Sequence, residues 1–156
     1  MGVAVGTVTL RARLTGAVAF YTTALSGRTI ILDPGHGGVD PGAHYRGEVL
    51  EKNLVLQIAR RLRRFLECAG ATVVMTRTGD YDLAPPGVQS LAMRKRYDLR
   101  ARVELANRTN ADLFLSIHIN ASRDPNKTGV HVYYATRPGS DVLARYVEEE
   151  MWYYIR

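Results

Sequence analysis

The chain has 156 residues, 46% of them apolar and 23% charged, a length and composition that suit one globular domain. These values exclude collagen-like, coiled-coil and disordered chains, and a single cysteine, Cys68, excludes an internal disulfide framework. A formal net charge of +6 permits an acidic partner such as nucleic acid, an anionic wall polymer or a lipid surface, without implying one.

No apolar run reaches 18 residues, so the sequence predicts no membrane span. Leu14 to Leu25 is a weakly polar apolar run preceded by Arg11 and Arg13, no acid occurs before Asp33, and small residues follow. Residues 1–27 therefore fit either an export leader or an N-terminal arm, since Val3, Val5, Val8 and Leu10 have strand character. Thr29 to Leu32 reads as a buried strand stopped by Asp33-Pro34-Gly35. Glu51 to Cys68 reads as a helix, Ala71 to Thr76 as a strand, and Gly79 to Gly87 as a loop. A second helix is expected over Ser90 to Thr109, with Ala92, Leu99, Val103 and Ala106 at helical spacing. Asp112 to His118 and Val130 to Tyr134 read as strands around a polar loop. From Ser140 a third helix presents Leu143, Tyr146, Val147, Met151 and Tyr154 on one face. Strands alternating with helices imply an α/β fold: three layers, a mostly parallel sheet and helices on both faces.

Three residues carry chemistry. His36 follows the first strand and His118 ends the Asp112–His118 strand. Ligands of open α/β sheets sit beyond the carboxyl ends of the strands, so neighbouring parallel strands would bring both imidazoles to one site. At 100° per residue, Leu54, Val55, Ile58, Leu62, Phe65 and Leu66 cover an arc of about 120°. Glu51 points into the middle of that arc, opposite Arg60, Arg61, Arg63 and Arg64. A carboxylate aimed at the interior must be paired or bound to a cation. Two histidines, one carboxylate and a position left for water form a common catalytic zinc set. The plain alternatives are a turn histidine and a satisfied core histidine.

Four stretches make the sequence recognisable: IILDPGHGGVDPGA (Ile30–Ala43), LEKNLVLQIARRL (Leu50–Leu62), L-x-x-R-x-x-x-A-N (Leu99–Asn107) and ADLFLSIHINA (Ala111–Ala121). With Gly129–Tyr134 following in order, residues 28–146 resemble the zinc-dependent N-acetylmuramoyl-L-alanine amidases of the amidase-3 type. GDYDLA (Gly79–Ala84) and RKRYDLRAR (Arg94–Arg102) look most like the sporulation and germination-specific members. The resemblance implies a phosphorylase/hydrolase-like fold and one Zn2+ per chain, held by His36, Glu51 and His118. It implies cleavage of the amide between N-acetylmuramic acid and L-alanine by a zinc-activated water. It also implies peptidoglycan as partner and an exported location on the wall or spore-cortex side of the membrane. Asp33, Asn120 and Arg102 are expected beside the ligands or substrate. Asp33 could orient an imidazole, and Arg102 could pair with a carboxylate near the site.

The family's second catalytic glutamate lies in a V-E-x-G-F-like strand motif, and no such motif occurs here. Glu148, Glu149 and Glu150 read as a solvated helix face. The expectation is thus an amidase domain over residues 28–156, truncated at its C-terminus, with the metal-bound Glu51 but without that general base, and weak or inactive. The alternatives are a zinc-containing module that binds peptidoglycan or a partner without cutting, and another zinc peptidase of similar sheet architecture. Arg60–Arg64 and Arg94–Arg102 read as solvated helix faces rather than a nucleic-acid surface, because no aromatic residue interleaves with the first run. Membrane association is expected only if residues 1–27 act as leader or anchor. His44 and His131 are expected in solvent-facing or supporting roles.

Overall fold

A computed structural model describes residues 23–45, 48–119, 121 and 129–154. The described chain divides into two compact units, one ending at Asn120 and the other covering 121–156. Asn120 itself lies outside the described residues, as do positions 1–22 of the proposed leader.

The first unit is built on a parallel sheet in the order β4 (Thr72–Met75), β1 (Thr29–Pro34), β5 (Leu113–Ile117). As the middle strand β1 is flanked on both sides, with Leu32 opposite Met75 and Leu115. This position explains its unbroken apolar run, since a strand covered on both faces has no use for alternation. Asp112 sets the β1–β5 register from below: its carboxylate accepts from the Thr29 amide at 2.8 Å and from Arg28 at 2.9 Å. A short antiparallel pair, β2 (His44–Tyr45) and β3 (Val49–Leu50), leads into helix α1 (Glu51–Cys68).

Helix α1 packs on the sheet face formed by Ile30, Leu32, Val73, Met75, Leu113 and Leu115, with its Leu62 and Leu66 in that core. Its buried residues are Glu51, Val55, Leu56 and Ala59. Glu51 therefore does face inward. The stripe is turned, however, and the expected arc members Leu54, Ile58 and Phe65 are exposed. Leu25 also packs on this core, and its amide donates to the Ala69 carbonyl at 2.9 Å. Among the described residues no helix is long and apolar enough to cross a membrane.

Helix α2 (Leu91–Thr109) begins where Ser90 Oγ accepts from the Met93 amide and ends on the left-handed Asn110. Its burial corrects the expected apolar stripe. The helix buries Asp98 and Arg102, while Leu99 and Val103 are exposed. Arg102 bonds to the carboxyl end of β1, on the sheet face opposite α1, and Asp98 holds Arg102 and the Leu83 amide. The result is a parallel sheet flanked by helices.

In the second unit, the expected strand Val130–Tyr134 is not formed. Its β-branched and aromatic residues make no ladder with any described strand, and strand propensity counts only where a neighbouring edge is available. Val130 is buried, Tyr133 and Tyr134 are exposed. Helix α3 (Ser140–Tyr154) buries Ala144, and Leu143, Tyr146, Met151 and Tyr154 of the expected apolar face lie open.

Candidate metal centre

The site lies beyond the carboxyl ends of β1 and β5, and three elements supply it. The chain leaves β1 through Gly35 into His36, whose φ of 60° is left-handed. A side chain rarely adopts that conformation without surrounding support, and here the following loop is closed by paired hydrogen bonds between Gly37 and Asp40, both 3.0 Å. Glycine is required before it: a Cβ on Gly35 would lie 2.2 Å from the His118 ring. His118 follows β5 directly, and parallel pairing of β1 with β5 brings the two imidazoles together, edge to face, with ring centroids 4.8 Å apart.

Glu51 opens α1 and is 5% exposed. Its Oε2 accepts from the Ala43 amide at 2.8 Å and its Oε1 from the Ile119 amide at 2.7 Å. Burial opposes ionisation, but these amides and His36 outweigh it and hold the carboxyl below its ordinary range. A Cβ on Gly42 would lie 2.8 Å from Glu51 Oε2 and 2.6 Å from the His36 ring, so only glycine lets the loop close over both.

The three donor groups converge. His118 Nδ1 lies 3.2 Å from His36 Nε2 and 3.2 Å from Glu51 Oε1, and His36 Nε2 lies 3.3 Å from Glu51 Oε2. A tetrahedral ion with ligands at about 2.0–2.1 Å separates them by about 3.3 Å. The set therefore fits zinc in donor type, and one ligand atom from each residue lies within 4.8 Å of the others. The tautomer of His36 fits as well. Its Nδ1 bonds the Asp40 carboxylate at 2.9 Å, which keeps the proton there and leaves the Nε2 lone pair facing the other two donors. Burial works against the Asp40 anion, yet His36 and Lys95 hold its carboxyl down at about 2. The Lys95 ammonium stands 2.9 Å from its second oxygen.

Asp33 does not orient an imidazole. It accepts from Thr76 Oγ1 at 2.7 Å, Ser116 Oγ at 2.7 Å and Arg102 Nη1 at 2.5 Å. Arg102 donates further to the Pro34 carbonyl at 3.0 Å, the His36 carbonyl at 2.7 Å and the Asp98 carboxylate at 2.9 Å. Burial disfavours its charge, but Asp33 and Asp98 more than compensate. Beside it lies a second buried arginine, Arg77, bonded to four backbone carbonyls. Burial and the neighbouring Arg102 both lower its pKa.

Sequence reasoning missed Asp40, Lys95, Asp98 and Arg77. Asp40 carried one signal, a carboxylate four residues after a glycine-flanked histidine. Arg77 carried a weaker one, a cation placed directly after an apolar strand. His44 is exposed in β2, and His131 is exposed in the second unit. Several residues of the basic runs have local partners: Arg60 bonds the Thr78 carbonyl, Arg63 pairs with Glu67, Arg94 with Asp82 and Arg100 with Glu104. A cleft of about 210 Å³ opens beside the ligands, lined among others by Lys95, Leu99, Arg102 and His118.

Residues 30–156 match the amidase-3 family, described as N-acetylmuramoyl-L-alanine amidase. The chain is 43% identical over 132 residues to the germination-specific N-acetylmuramoyl-L-alanine amidase of Bacillus subtilis, covering 84% of this chain and 55% of that one. It is 37% identical over 123 residues to amidase AmiA of Escherichia coli, covering 78% and 38%. Among solved structures, the CwlD amidase of Clostridioides difficile, in complex with the GerS lipoprotein, superposes with a TM-score of 0.76 at 34% identity. That match covers 80% of this chain and 64% of the other. The catalytic domain of CwlV from Bacillus (Paenibacillus) polymyxa gives a TM-score of 0.64 at 28% identity, covering 78% and 61%. The chain thus spans about half the length of the first of these curated relatives, and less of the second.

Proposed function

The chain belongs to the amidase-3 family of N-acetylmuramoyl-L-alanine amidases, and from that membership we propose that it is a zinc-dependent hydrolase of peptidoglycan. The bond cut is the amide between the lactyl group of N-acetylmuramic acid and L-alanine of the stem peptide. The observation that carries the reading is the convergence of His36, Glu51 and His118, with ligand atoms within 4.8 Å of one another. These three would hold the metal. Bound there, zinc supplies a Lewis acid for the scissile carbonyl and a lowered pKa for water. Asp40 fixes the His36 tautomer. The Ala43 and Ile119 amides keep Glu51 anionic and aimed. Arg102 locks the backbone around His36.

We further propose that these 156 residues turn over feebly on their own. Proton transfer from water to the leaving amine needs a free acid–base group, and among the described residues the carboxylates around the cleft are engaged. Glu51 is a ligand, Asp40 is held by His36 and Lys95, Asp33 by Arg102, and Asp98 by Arg102 and the Leu83 amide. A missing acid–base group lowers rate by about 10²–10⁴. A role in germination is supported by the name of the Bacillus relative, and remodelling of the spore cortex is part of the same proposal. With that substrate we also propose an exported location, on the wall or spore-cortex side of the membrane. Asn120 remains a candidate for contact with the glycan or peptide.

The test is elemental analysis and product analysis together. The purified chain should carry one zinc, and His36→Ala should carry none. Muropeptides should yield free muramic lactyl groups and stem peptides beginning with alanine, slowly. Shortened peptides would identify a peptidase instead, and turnover at the rate of an active family member would refute the weak-activity proposal. Metal binding without product at any enzyme level would favour the binding-module reading.

A further inference from the structure

We infer that the segment after β4, from Arg77 to Asp80, is a positioning clasp that sets the separation of His36 from Glu51. The inference rests on the metal-site reading above and concerns residues that bond to the neighbours of the ligands. Arg77 is 1% exposed. Its Nε donates to the Pro34 carbonyl at 2.9 Å, and its Nη2 to the carbonyls of Gly35 and Lys52, both at 2.8 Å. Its Nη1 donates to the Gly79 carbonyl at 2.9 Å. Gly35 immediately precedes His36, and Lys52 immediately follows Glu51. One guanidinium therefore spans the residues adjoining two ligands that belong to different elements.

Asp80 closes the same junction from the solvent side. Its Oδ1 accepts from the Gly38 amide at 2.9 Å, and its Oδ2 from Lys52 Nζ at 2.8 Å. Lys52 Nζ also donates to the Gly38 carbonyl at 2.8 Å. The loop after His36 is thus tied to the first turn of α1 from both sides. The fit is close: a Cβ on Gly37 would lie 2.5 Å from the Tyr81 carbonyl oxygen and 2.9 Å from Arg77 Cδ.

The chemistry of Arg77 supports positioning over mere packing. A buried cation is costly to desolvate, and its usual compensation is a carboxylate in contact. The hydrogen-bond partners of Arg77 are backbone carbonyls, which use the planar fork as a spacer between chain segments. Lysine carries the charge but cannot reproduce the fork.

The experiment measures Zn2+ affinity by competition with a chromophoric chelator, the visible spectrum of the Co2+-loaded protein, and the melting temperature without metal. His36→Ala should abolish binding. Arg77→Lys should weaken Zn2+ binding by about 10–100-fold and alter the Co2+ spectrum, the usual range for groups supporting metal ligands. Asp80→Asn should weaken it by a smaller factor, up to about tenfold. A purely structural role would lower the metal-free melting temperature while leaving affinity and spectrum unchanged, and that result overturns the clasp. If Arg77→Lys does not fold without metal, Asp80→Asn decides, and wild-type affinity and spectrum in that variant overturn the inference. Wild-type affinity in His36→Ala would instead remove the metal-site reading itself.

Discussion

Helices α1 and α2 flank the same sheet and are held by opposite means. Helix α1 buries Val55, Leu56 and Ala59 and packs Leu62 and Leu66 on an apolar sheet face, with Glu51 as its inward acid. Helix α2 buries an aspartate and an arginine and leaves Leu99 and Val103 in the open. The first arrangement gains from removing apolar surface from water. The second gains little net free energy, because a buried ion pair roughly repays its own desolvation, but it fixes direction. Arg102 reaches Asp33 and the carbonyls of Pro34 and His36. So α1 holds the fold, and α2 holds the loop that carries a ligand.

The sharpest way to break this contrast is Arg102→Met. It keeps the side-chain bulk but leaves Asp33 and Asp98 buried without their cation, which costs about 3–5 kcal/mol. Urea unfolding should show the loss, and adding Asp33→Asn should recover part of it. A loss below about 1 kcal/mol, within the range of ordinary surface pairs, would mean that the charged edge of α2 holds nothing. On the other helix, Val55→Ala removes two buried methyl groups at a site with 0% exposure. It should cost about 2 kcal/mol while leaving zinc affinity of the folded protein unchanged, which separates fold from site.

A smaller effect is expected from pH at the start of α2. Asp82 is buried, which would raise its pKa, but Arg94, with an oxygen–nitrogen distance of 2.6 Å, outweighs this and lowers it. A carboxyl depressed in the folded state contributes stability above its unfolded pKa of about 3.9. That contribution fades as pH falls below about 4. Asp82→Asn should therefore flatten the stability profile on the acid side and leave its slope near neutrality as it was. Equal acid slopes in variant and wild type would count against the pair.

The contrast between the helices also explains what could be read from sequence. The span of α1 was legible because apolar burial leaves a 3.6-residue period, and Glu51 does face inward although the buried stripe is turned from the expected arc. His36 and His118 were legible as residues ending strands. Helix α2 was misread in its facing because its period is carried by charged residues, which look like a solvated surface. Asp40 was missed despite its spacing from His36, because its bond to that histidine closes a loop whose path depends on glycine conformations. Arg77 left only its place after an apolar strand, because it bonds to backbone carbonyls, and those leave no mark on the identity of their residues. The strand expected at Val130–Tyr134 failed for a third reason: its pattern depends on an edge that the local sequence does not specify.

The smallest effect tests the open side of α2. Val103 is 57% exposed, although its spacing with Leu99 suggested a core position. At this exposed position Val103→Thr exchanges a methyl for a hydroxyl that water can solvate. The stability change should stay within about 0.5 kcal/mol, as for surface substitutions away from special features. The same exchange inside an apolar core strands a hydroxyl without a partner and costs about 1–3 kcal/mol. Chemical denaturation resolves these two ranges. A cost in the upper range would show that α2 has an apolar contact on this side after all, and would make its charged edge only half of what holds it. A neutral result, beside a large loss for Arg102→Met, would leave α2 as a helix docked through its ion network, with its position set by the same carbonyls that position His36.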